Sequence, residues 1–325
     1  MKRRGPARAG DRSFERLLER LSRLPRQTSL TLEELRAQYD RAGEAFSIDP
    51  RWTVATLDLP SFRGERLQPA GPCDGVMLYL HGGGYVIGSP RSHRHLAADL
   101  AGAAGLTAYV LDYRRAPEHP FPAALDDAVA AVRWLVETRR ARPERLVLAG
   151  DSAGGGLVVS TLVALRDAGL PLPAAAVCLS PWVDLGCTLP SCSARRPPDP
   201  VIDAEVLRAM ARAYLGRRSA RTPGASPLYA DLQGLPPLLV QAAAGEALVD
   251  DAIELMRAAA RAGVHVTLEL WPRFVHVGHW YARMFDDGGR ALGNAARFMR
   301  SALDAARPRR ARRAAQTSAS EIAGT

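Results

Sequence analysis

The chain has 325 residues, of which 47% are hydrophobic and 24% are charged, a balance that is typical of globular proteins and argues against disorder. This length allows one sizeable α/β core or two small domains. No apolar run approaches the roughly 20 residues that a membrane-spanning helix needs, and no apolar stretch follows the basic N-terminus. We therefore predict neither a membrane span nor a secretory signal.

The net charge of +9 would suit a nucleic-acid partner if it lay in a groove of the folded body. Instead, residues 1–26 hold nine Lys or Arg against three Asp or Glu, and residues 307–325 hold five Arg against one Glu. The rest of the chain is therefore close to neutral. No aromatic residue lies among the C-terminal arginines to stack on bases. We predict no nucleic-acid partner, with weak adhesion of the two ends to acidic surfaces as the alternative.

The four cysteines, Cys73, Cys178, Cys187 and Cys192, lack C-x-x-C spacing. Cys178 lies in an apolar run and is interpreted as a small buried hydrophobe. A reducing, cytoplasmic setting fits this pattern best, although a link between Cys187 and Cys192 stays open.

The first 48 residues have a helical pattern, and from residue 76 onward short apolar runs alternate with helical patterns. Such alternation is typical of a parallel sheet covered on both faces, so we predict the α/β class, with a mostly parallel central sheet flanked by helices. The predicted strands are 76–80, 106–111, 145–149, 174–179, 238–242 and 264–270, and the predicted helices lie near 124–139, 153–168, 203–215 and 250–262.

Two segments interrupt this alternation, namely residues 1–48 and an insertion at about 184–226 that contains a Pro/Arg-rich stretch. An insertion of this size between two strands is usually functional. We predict that the two segments form a helical cap over the site. The catalytic domain is expected to span residues 49–306, followed by a basic, disordered tail at 307–325.

The pentapeptide Gly150-Asp151-Ser152-Ala153-Gly154 directly follows one predicted strand and precedes a predicted helix. In that context it predicts a nucleophile elbow, a sharp strand-to-helix turn that exposes Ser152. Gly150 and Gly154 remove side chains that would collide across the turn. The alternative is a glycine-rich turn with a capping serine. The G-x-G-x-x-G order of a dinucleotide loop and the Gly-Lys-Ser/Thr of a P-loop are absent, so no cofactor is predicted.

The segment His81-Gly82-Gly83-Gly84 follows the predicted strand at 76–80. Glycines let the backbone approach a reacting carbon. We therefore predict that the N–H groups of Gly83, Gly84 and Ala153 form an oxyanion hole, in which each donor contributes roughly 3–4 kcal/mol to the transition state. His81 is expected to brace this loop and not to transfer a proton.

His276 lies in a loop beyond the last predicted strand, where the base of such a site is expected. His279 is close enough in sequence to remain a rival. His93 and His95 could suggest a metal site, but no third ligand follows at recognisable spacing. We therefore predict no metal and place these two histidines at the start of a surface helix.

The acid is expected between the strand at 238–242 and His276, because triads on this kind of elbow follow the order Ser, Asp or Glu, His. Glu246 lies in the tight loop at the end of that strand and is the preferred candidate. Asp250 stays an alternative, and Asp251 also qualifies by order. Both begin the next predicted helix, where carboxylates are common caps.

Together with the elbow and the glycine loop, the segments Asp112-Tyr-Arg-Arg-Ala-Pro-Glu118 and Phe121-Pro-Ala-Ala-Leu-Asp-Asp127 make residues 50–300 resemble the hormone-sensitive-lipase-like (GDXG) esterases of the α/β-hydrolases. The resemblance implies an α/β-hydrolase fold with a cap formed partly by N-terminal helices, a short-acyl carboxylesterase activity, no cofactor, and often a homodimer. It maps the nucleophile to Ser152, the base to His276 and the acid, usually Asp, to Glu246. Arg115, where the family usually has leucine, is a departure.

The leading hypothesis is a serine carboxylesterase that hydrolyses small-molecule esters with short to medium acyl chains through an acyl-enzyme. Cleavage of a lactone or of an acetyl group on a secondary metabolite is an alternative that the motifs do not separate. A non-catalytic ligand-binding receptor would require a damaged triad, and Ser152, Glu246 and His276 are all present. Acyl transfer to an acceptor other than water is a further alternative.

Overall fold

An eight-stranded sheet forms the centre of the described part of the chain, which comprises residues 9–23, 30–60, 62–193 and 199–306 of the computed structural model. The strands are β1 (Thr53–Leu59), β2 (Phe62–Gln68), β3 (Val76–Leu80), β4 (Thr107–Leu111), β5 (Leu146–Asp151), β6 (Ala175–Leu179), β7 (Leu238–Ala243) and β8 (Val266–Trp271). They lie in the order β1-β2-β4-β3-β5-β6-β7-β8. The strand β2 is antiparallel to both of its neighbours, β1 and β4, and the other neighbouring pairs are parallel. The predicted α/β class with a mostly parallel sheet is confirmed.

Helices cover both faces of this sheet. They are α1 (Ala9–Ser22), α2 (Leu32–Glu44), α3 (Pro90–Ala104), α4 (Ala123–Glu137), α5 (Ala153–Asp167), α6 (Pro190–Ser193), α7 (Ala204–Leu215), α8 (Val249–Arg261) and α9 (Asp286–Ala305). On β3, Met77 and Tyr79 pack with α3 and α9, whereas Leu78 and Leu80 pack with α4, α5 and α8. Because both faces are buried, the strand is apolar at every position, which explains why the sequence shows a continuous run.

The antiparallel hairpin of β1 and β2 was not predicted from the sequence. Successive residues of β1 are exposed or half-buried, and β2 contains Arg63, Glu65 and Arg66 among its seven residues. A half-exposed edge hairpin with this many charges carries neither a continuous apolar run nor a helical period. Its strand character therefore depends on pairing with β4.

The prediction that His93 and His95 begin a surface helix was wrong, because the start of this helix is buried. Both histidines lie on α3 with at most 2% of their surface exposed. Their rings pack against Trp280, with ring centroids 5.3 and 5.7 Å away, respectively. Most of α3 is buried between the sheet, α2 and α9, so polar residues at its start do not indicate an exposed face.

The two N-terminal helices pack at different places. On α1, Leu17 and Leu21 are buried against a cluster that contains Phe274 and Val275, just before His276. The second helix, α2, packs on α3, and its Arg36 donates hydrogen bonds to the carbonyl oxygens of Val86 and Ala116, at 2.9 Å each. The N-terminal segment thus supports both the histidine loop and the segment that follows the glycine loop.

The insertion between β6 and β7 contains α6 and α7. Two carboxylates of α8 anchor its beginning: Asp250 accepts a hydrogen bond from the Ser191 N–H at 2.8 Å, and Asp251 accepts from the N–H groups of Val183 and Asp184 at 2.9 Å. Residues 194–198 of the Pro/Arg-rich stretch lie outside the described residues, as do residues 307–325, so the predicted tail is not described. Within the described ranges, every helix is too short or too polar to cross a membrane.

Candidate active site

Ser152 lies at the turn between β5 and α5 with a φ of 52° and a ψ of −121°, outside the regions that L-residues prefer. Two close approaches produce this turn. A Cβ on Gly150 would lie 2.5 Å from the carbonyl oxygen of Gly154, and a Cβ on Gly154 would lie 2.5 Å from the carbonyl oxygen of His81. Real side chains do not reach such distances, so glycine is required at both positions of the elbow.

Asp151 connects the elbow to the glycine loop after β3. Its Oδ1 accepts hydrogen bonds from the Tyr79 hydroxyl at 2.7 Å and from the Gly82 N–H at 3.0 Å. Its Oδ2 lies 3.3 Å from Nε2 of His93. Although burial raises the pKa of Asp151, the charge and hydrogen bond of His93 and the hydrogen bond of Tyr79 outweigh it and keep the pKa low. The carboxylate is therefore a fixed acceptor for the loop.

The backbone amides of Gly83 and Gly84 are available as donors beside Ser152. Among the hydrogen bonds of the described residues, none uses either amide. Ala153 is the first residue of α5, so its N–H also lacks an acceptor within the helix, and it lies at the positive end of the helix dipole. Three such N–H groups can stabilise an oxyanion.

His81 braces this loop from the inside. Its Nδ1 lies 2.8 Å from the carbonyl oxygen of Gly82, and its ring stacks on Tyr113 with centroids 4.1 Å apart. Burial holds the pKa of His81 well below its usual value, so the ring is neutral at physiological pH. This geometry supports the bracing role expected from the sequence.

His276 connects Ser152 to Glu246. Its Nε2 lies 3.0 Å from Oγ of Ser152, and its Nδ1 lies 3.6 Å from Oε2 of Glu246. The second distance exceeds a normal hydrogen bond, but such contacts are often long before substrate binds. With Nδ1–H facing the carboxylate, Nε2 is free to accept the Ser152 proton. The structure thus brings together the three residues that the sequence selected.

Ser180 was not among the residues selected from the sequence. It follows directly after β6 with a φ of 47°, and its hydroxyl donates to Oε2 of Glu246 at 2.8 Å. The same hydroxyl accepts the N–H of Val277 at 3.1 Å. Ser180 therefore holds the carboxylate and the residue after His276 in one hydrogen-bond chain. The sequence offered one signal that could have identified Ser180, namely its position at the carboxyl end of a predicted parallel strand.

The rival residues point elsewhere. Nε2 of His279 lies 2.9 Å from the Gln241 side chain, and burial lowers the pKa of His279 to about 3. Asp250 and Asp251 bind backbone N–H groups of the insertion, as described above.

Arg115, the departure from the family pattern, donates a hydrogen bond to the carbonyl oxygen of Gly88 at 2.5 Å. Across the described residues, no group of three or more His, Cys, Asp or Glu side chains is arranged to hold a metal ion.

Comparison with known proteins identifies the family of this chain. The family model described as alpha/beta hydrolase fold matches residues 77–280. The chain belongs to the α/β-hydrolase family. This α/β-hydrolase is 50% identical over 273 residues to an acetyl-hydrolase of Streptomyces hygroscopicus, a match that covers 83% of this chain and 90% of that protein. It is 31% identical to an esterase of Acinetobacter venetianus, over 88% of this chain and 95% of that protein.

Comparison with solved structures identifies the group within the α/β-hydrolases to which this chain is similar. The crystal structure of an esterase from the bacterial hormone-sensitive lipase family matches with a TM-score of 0.84 and 42% identity, over 92% of this chain and 100% of that chain. An esterase/lipase from an uncultured bacterium matches with a TM-score of 0.84 and 39% identity, over 90% of this chain and 98% of that chain. The resemblance to hormone-sensitive-lipase-like esterases is confirmed.

The pH dependence of ester hydrolysis should report on the pairing of His276 with Glu246. Burial lowers the pKa of His276, but the facing carboxylate of Glu246, with the charges of Asp199 and Asp151, outweighs burial and raises this pKa above 6.5 overall. Because the base must be neutral, kcat/KM should fall as the pH drops through a value above 6.5. Glu246→Gln should move this limb to lower pH and reduce kcat by up to about 10⁴.

Asp250→Asn is the matched control, because its carboxamide oxygen can still accept the Ser191 N–H. Asp250→Asn should leave the pH at which kcat/KM falls unchanged, and it should change kcat by no more than a few-fold. A larger loss in Asp250→Asn than in Glu246→Gln, or an unshifted limb in Glu246→Gln, would contradict the pairing.

Ser180→Ala should reduce kcat by roughly 10- to 100-fold with little change in KM, because a hydrogen bond to a charged group contributes roughly 1.5–3 kcal/mol and each 1.4 kcal/mol is about a factor of ten. The Glu246 carboxylate would lose its Ser180 donor and keep only the weaker hydrogen bond from the Ala243 N–H at 3.2 Å. Steady-state kinetics on one ester provide the measurement. Ser226→Ala is the control, since Ser226 is also buried and accepts the Leu185 N–H away from the triad. Equal effects of both variants would show that Ser180 acts only on stability.

Proposed function

We propose that this protein hydrolyses carboxylic esters through an acyl-enzyme on Ser152. The observation that carries the proposal is the 3.0 Å contact between Oγ of Ser152 and Nε2 of His276, with Glu246 on the other side of the imidazole. A serine hydroxyl is a weak nucleophile, and an adjacent base oriented by a third group is what activates it. The esterase and acetyl-hydrolase relatives support the same reaction.

In the first half of the reaction, Oγ of Ser152 attacks the carbonyl carbon of the ester while His276 takes its proton. The carbonyl oxygen becomes an oxyanion that accepts hydrogen bonds from the N–H groups of Gly83, Gly84 and Ala153. The carbon–oxygen bond to the alcohol then breaks, and the leaving alcohol receives the proton from His276. Glu246 stabilises the imidazolium between these two transfers.

In the second half, His276 removes a proton from a water molecule, which attacks the acyl carbon. The same oxyanion hole holds the second tetrahedral intermediate, and its collapse returns the proton to Oγ of Ser152 and releases the acid. No cofactor takes part in these steps. The groups that bind, orient and transfer protons all belong to the described chain.

Ser152→Ala should lower kcat by several orders of magnitude and leave the fold intact, because only the covalent route is removed. Hydrolysis of p-nitrophenyl butyrate and labelling by an active-site phosphonate are the two measurements. Ser160→Ala, at a buried serine on α5, the helix that follows Ser152, should retain both activity and labelling. Ser152→Ala with more than about a tenth of wild-type activity would disprove the assignment. A wild-type protein that resists the label would favour the ligand-binding receptor.

The contacts and surface of the proposed cap are an argument for substrates with short to medium acyl chains. Arg36 fixes α2 to the segment that follows the glycine loop, and α7 lies against the glycine loop itself through Tyr214 and Tyr85. The outer face of α7 carries exposed arginines in place of a broad apolar surface. Arg208, Arg212, Arg217 and Arg218 are the exposed members on and just after this helix. A face of this kind is unsuited to insertion into a lipid surface.

Removal of an acetyl group is the second candidate reaction. The observation that favours it is the 50% identity to an acetyl-hydrolase over 83% of this chain. The same triad and oxyanion hole would serve, since an acetyl group is the smallest common acyl group. Acetylated metabolites therefore belong in the first substrate screen beside simple esters and lactones.

We expect p-nitrophenyl esters of about C2 to C8 to be hydrolysed best, with kcat/KM rising modestly and then falling sharply, because each methylene contributes at most ~0.8 kcal/mol while it still fits. The measurement is a chain-length series at concentrations on both sides of the critical micelle concentration. Maximal activity at C16, or a rate increase above the critical micelle concentration, would contradict a preference for short and medium acyl chains.

A further inference from the structure

Two cysteines lie together at the start of the insertion between β6 and β7. Cys187 and Cys192 are both free, and their thiols hydrogen-bond to one another. The other two cysteines lie in different places, Cys178 on β6 and Cys73 in the loop that precedes β3. The ester hydrolysis proposed above uses none of these thiols. The pair is therefore a cluster of nucleophilic groups that the triad does not explain.

The turn that carries Cys187 is held by the buried carboxylate of Asp184. Its Oδ1 accepts the Gly186 N–H at 3.0 Å, and its Oδ2 accepts the N–H and the hydroxyl of Thr188 at 2.8 and 2.6 Å. The N–H of Cys187 donates to the carbonyl oxygen of Asp184 at 3.1 Å. The main chain on both sides of Cys187 is therefore fixed.

The main chain at Cys192 is held from the other side, by the beginning of α8. The N–H of Ser191 donates to Oδ2 of Asp250 at 2.8 Å, and its hydroxyl donates to the carbonyl oxygen of Ala247 at 2.8 Å. The N–H of Cys192 donates to the carbonyl oxygen of Leu189 at 3.2 Å. Because both segments are fixed with the thiols in contact, joining the two sulfurs costs little chain entropy.

The two thiols differ in how readily they ionise. The hydrogen bond from Cys187 lowers the pKa of Cys192 in spite of burial, and the charge of Arg208 on α7 acts in the same direction. The hydrogen bond to Cys192 and burial both raise the pKa of Cys187. At Cys178, burial alone raises the pKa to about 12. Since the thiolate is the nucleophilic form, Cys192 is the thiol of the pair that attacks an electrophile.

We propose that Cys187 and Cys192 form a dithiol that small hydroperoxides oxidise reversibly to a disulfide. Only 6% and 5% of their surfaces are exposed, which restricts the oxidant to a molecule as small as hydrogen peroxide. This modification site is independent of the proposed ester hydrolysis.

The oxidation takes two steps. The Cys192 thiolate attacks one oxygen of hydrogen peroxide, the O–O bond breaks, and the hydroxide that leaves takes up the thiol proton to become water. Cys192 is then a sulfenic acid. The Cys187 sulfur attacks the sulfenic sulfur, the S–O bond breaks, and the second hydroxide leaves as water with the Cys187 proton. Two thiols and one peroxide thus give one disulfide and two waters.

The test begins with the full-length wild-type protein, treated with hydrogen peroxide, alkylated with iodoacetamide under denaturing conditions and cut before aspartates. The fragment from Asp184 to residue 198 contains Cys187 and Cys192 and neither of the other cysteines. By mass spectrometry, this fragment should lose both alkyl groups and two hydrogens, and dithiothreitol should restore both alkylation sites. Cys73 and Cys178 should stay alkylated at the same peroxide concentration.

Two serine variants separate the roles of the thiols. Cys187→Ser keeps a hydroxyl donor beside Cys192 but supplies no second sulfur, so dimedone should trap the sulfenic acid on Cys192. Cys192→Ser should give several-fold less dimedone label on Cys187. Cys73→Ser is the matched control, since Cys73 lies outside the insertion and is half-exposed, and it should form the disulfide at the wild-type rate.

A fragment 184–198 that stays fully alkylated while Cys73 is oxidised would overturn the proposal, as would sulfinic acid on Cys192 without a disulfide. Equal dimedone labels in Cys187→Ser and Cys192→Ser would overturn the assignment of Cys192 as the attacking thiol. None of these results bears on the esterase, because the proposed triad of Ser152, Glu246 and His276 contains no thiol.

Discussion

The buried carboxylate of Asp151 holds the nucleophile elbow against the glycine loop that follows β3. One of its oxygens accepts the Gly82 N–H and the Tyr79 hydroxyl, and the other faces His93. A buried acceptor that is lost leaves each donor unpaired at a cost of about 1–3 kcal/mol. Because the elbow carries Ser152 and the loop carries the proposed oxyanion donors, this side chain helps to set the distance between them.

The glycines make that close approach sterically possible. At the elbow, Gly150 and Gly154 allow the turn to lie against the main chain at the end of β3. In the loop, Gly83 and Gly84 adopt positive φ values of 106° and 61°. Left-handed backbone of this kind strains residues that have a Cβ. The elbow and the loop therefore fit together as two backbone surfaces, with Asp151 as the polar link between them.

The residues of the proposed site follow four different strands and meet at the same edge of the sheet. Ser152, Ser180 and Glu246 follow β5, β6 and β7, and His276 follows β8. Parallel strands all end at one edge, so loops that are far apart in sequence converge there. Ser180 joins two of these loops, since its hydroxyl bonds both Glu246 and the amide of Val277. Beside this edge, Arg36 on α2 bonds to the carbonyl oxygens of Val86 and Ala116, and Tyr214 on α7 stacks on Tyr85.

The sequence by itself determined the features that depend on local chemistry. The run at 145–149 followed by glycines identified the elbow at Ser152, and continuous apolar runs identified the parallel sheet. The sequence preferred Glu246 over Asp250 and His276 over His279 without excluding the alternatives. Each pair is close in sequence, so only the path of the loops decides which carboxylate faces His276 and which imidazole faces Ser152. The tertiary structure also revealed the β1–β2 hairpin and the burial of His93. Periodicity and turn chemistry act over a few residues, whereas the partner of a polar side chain is set by strand order and packing, which no short segment encodes.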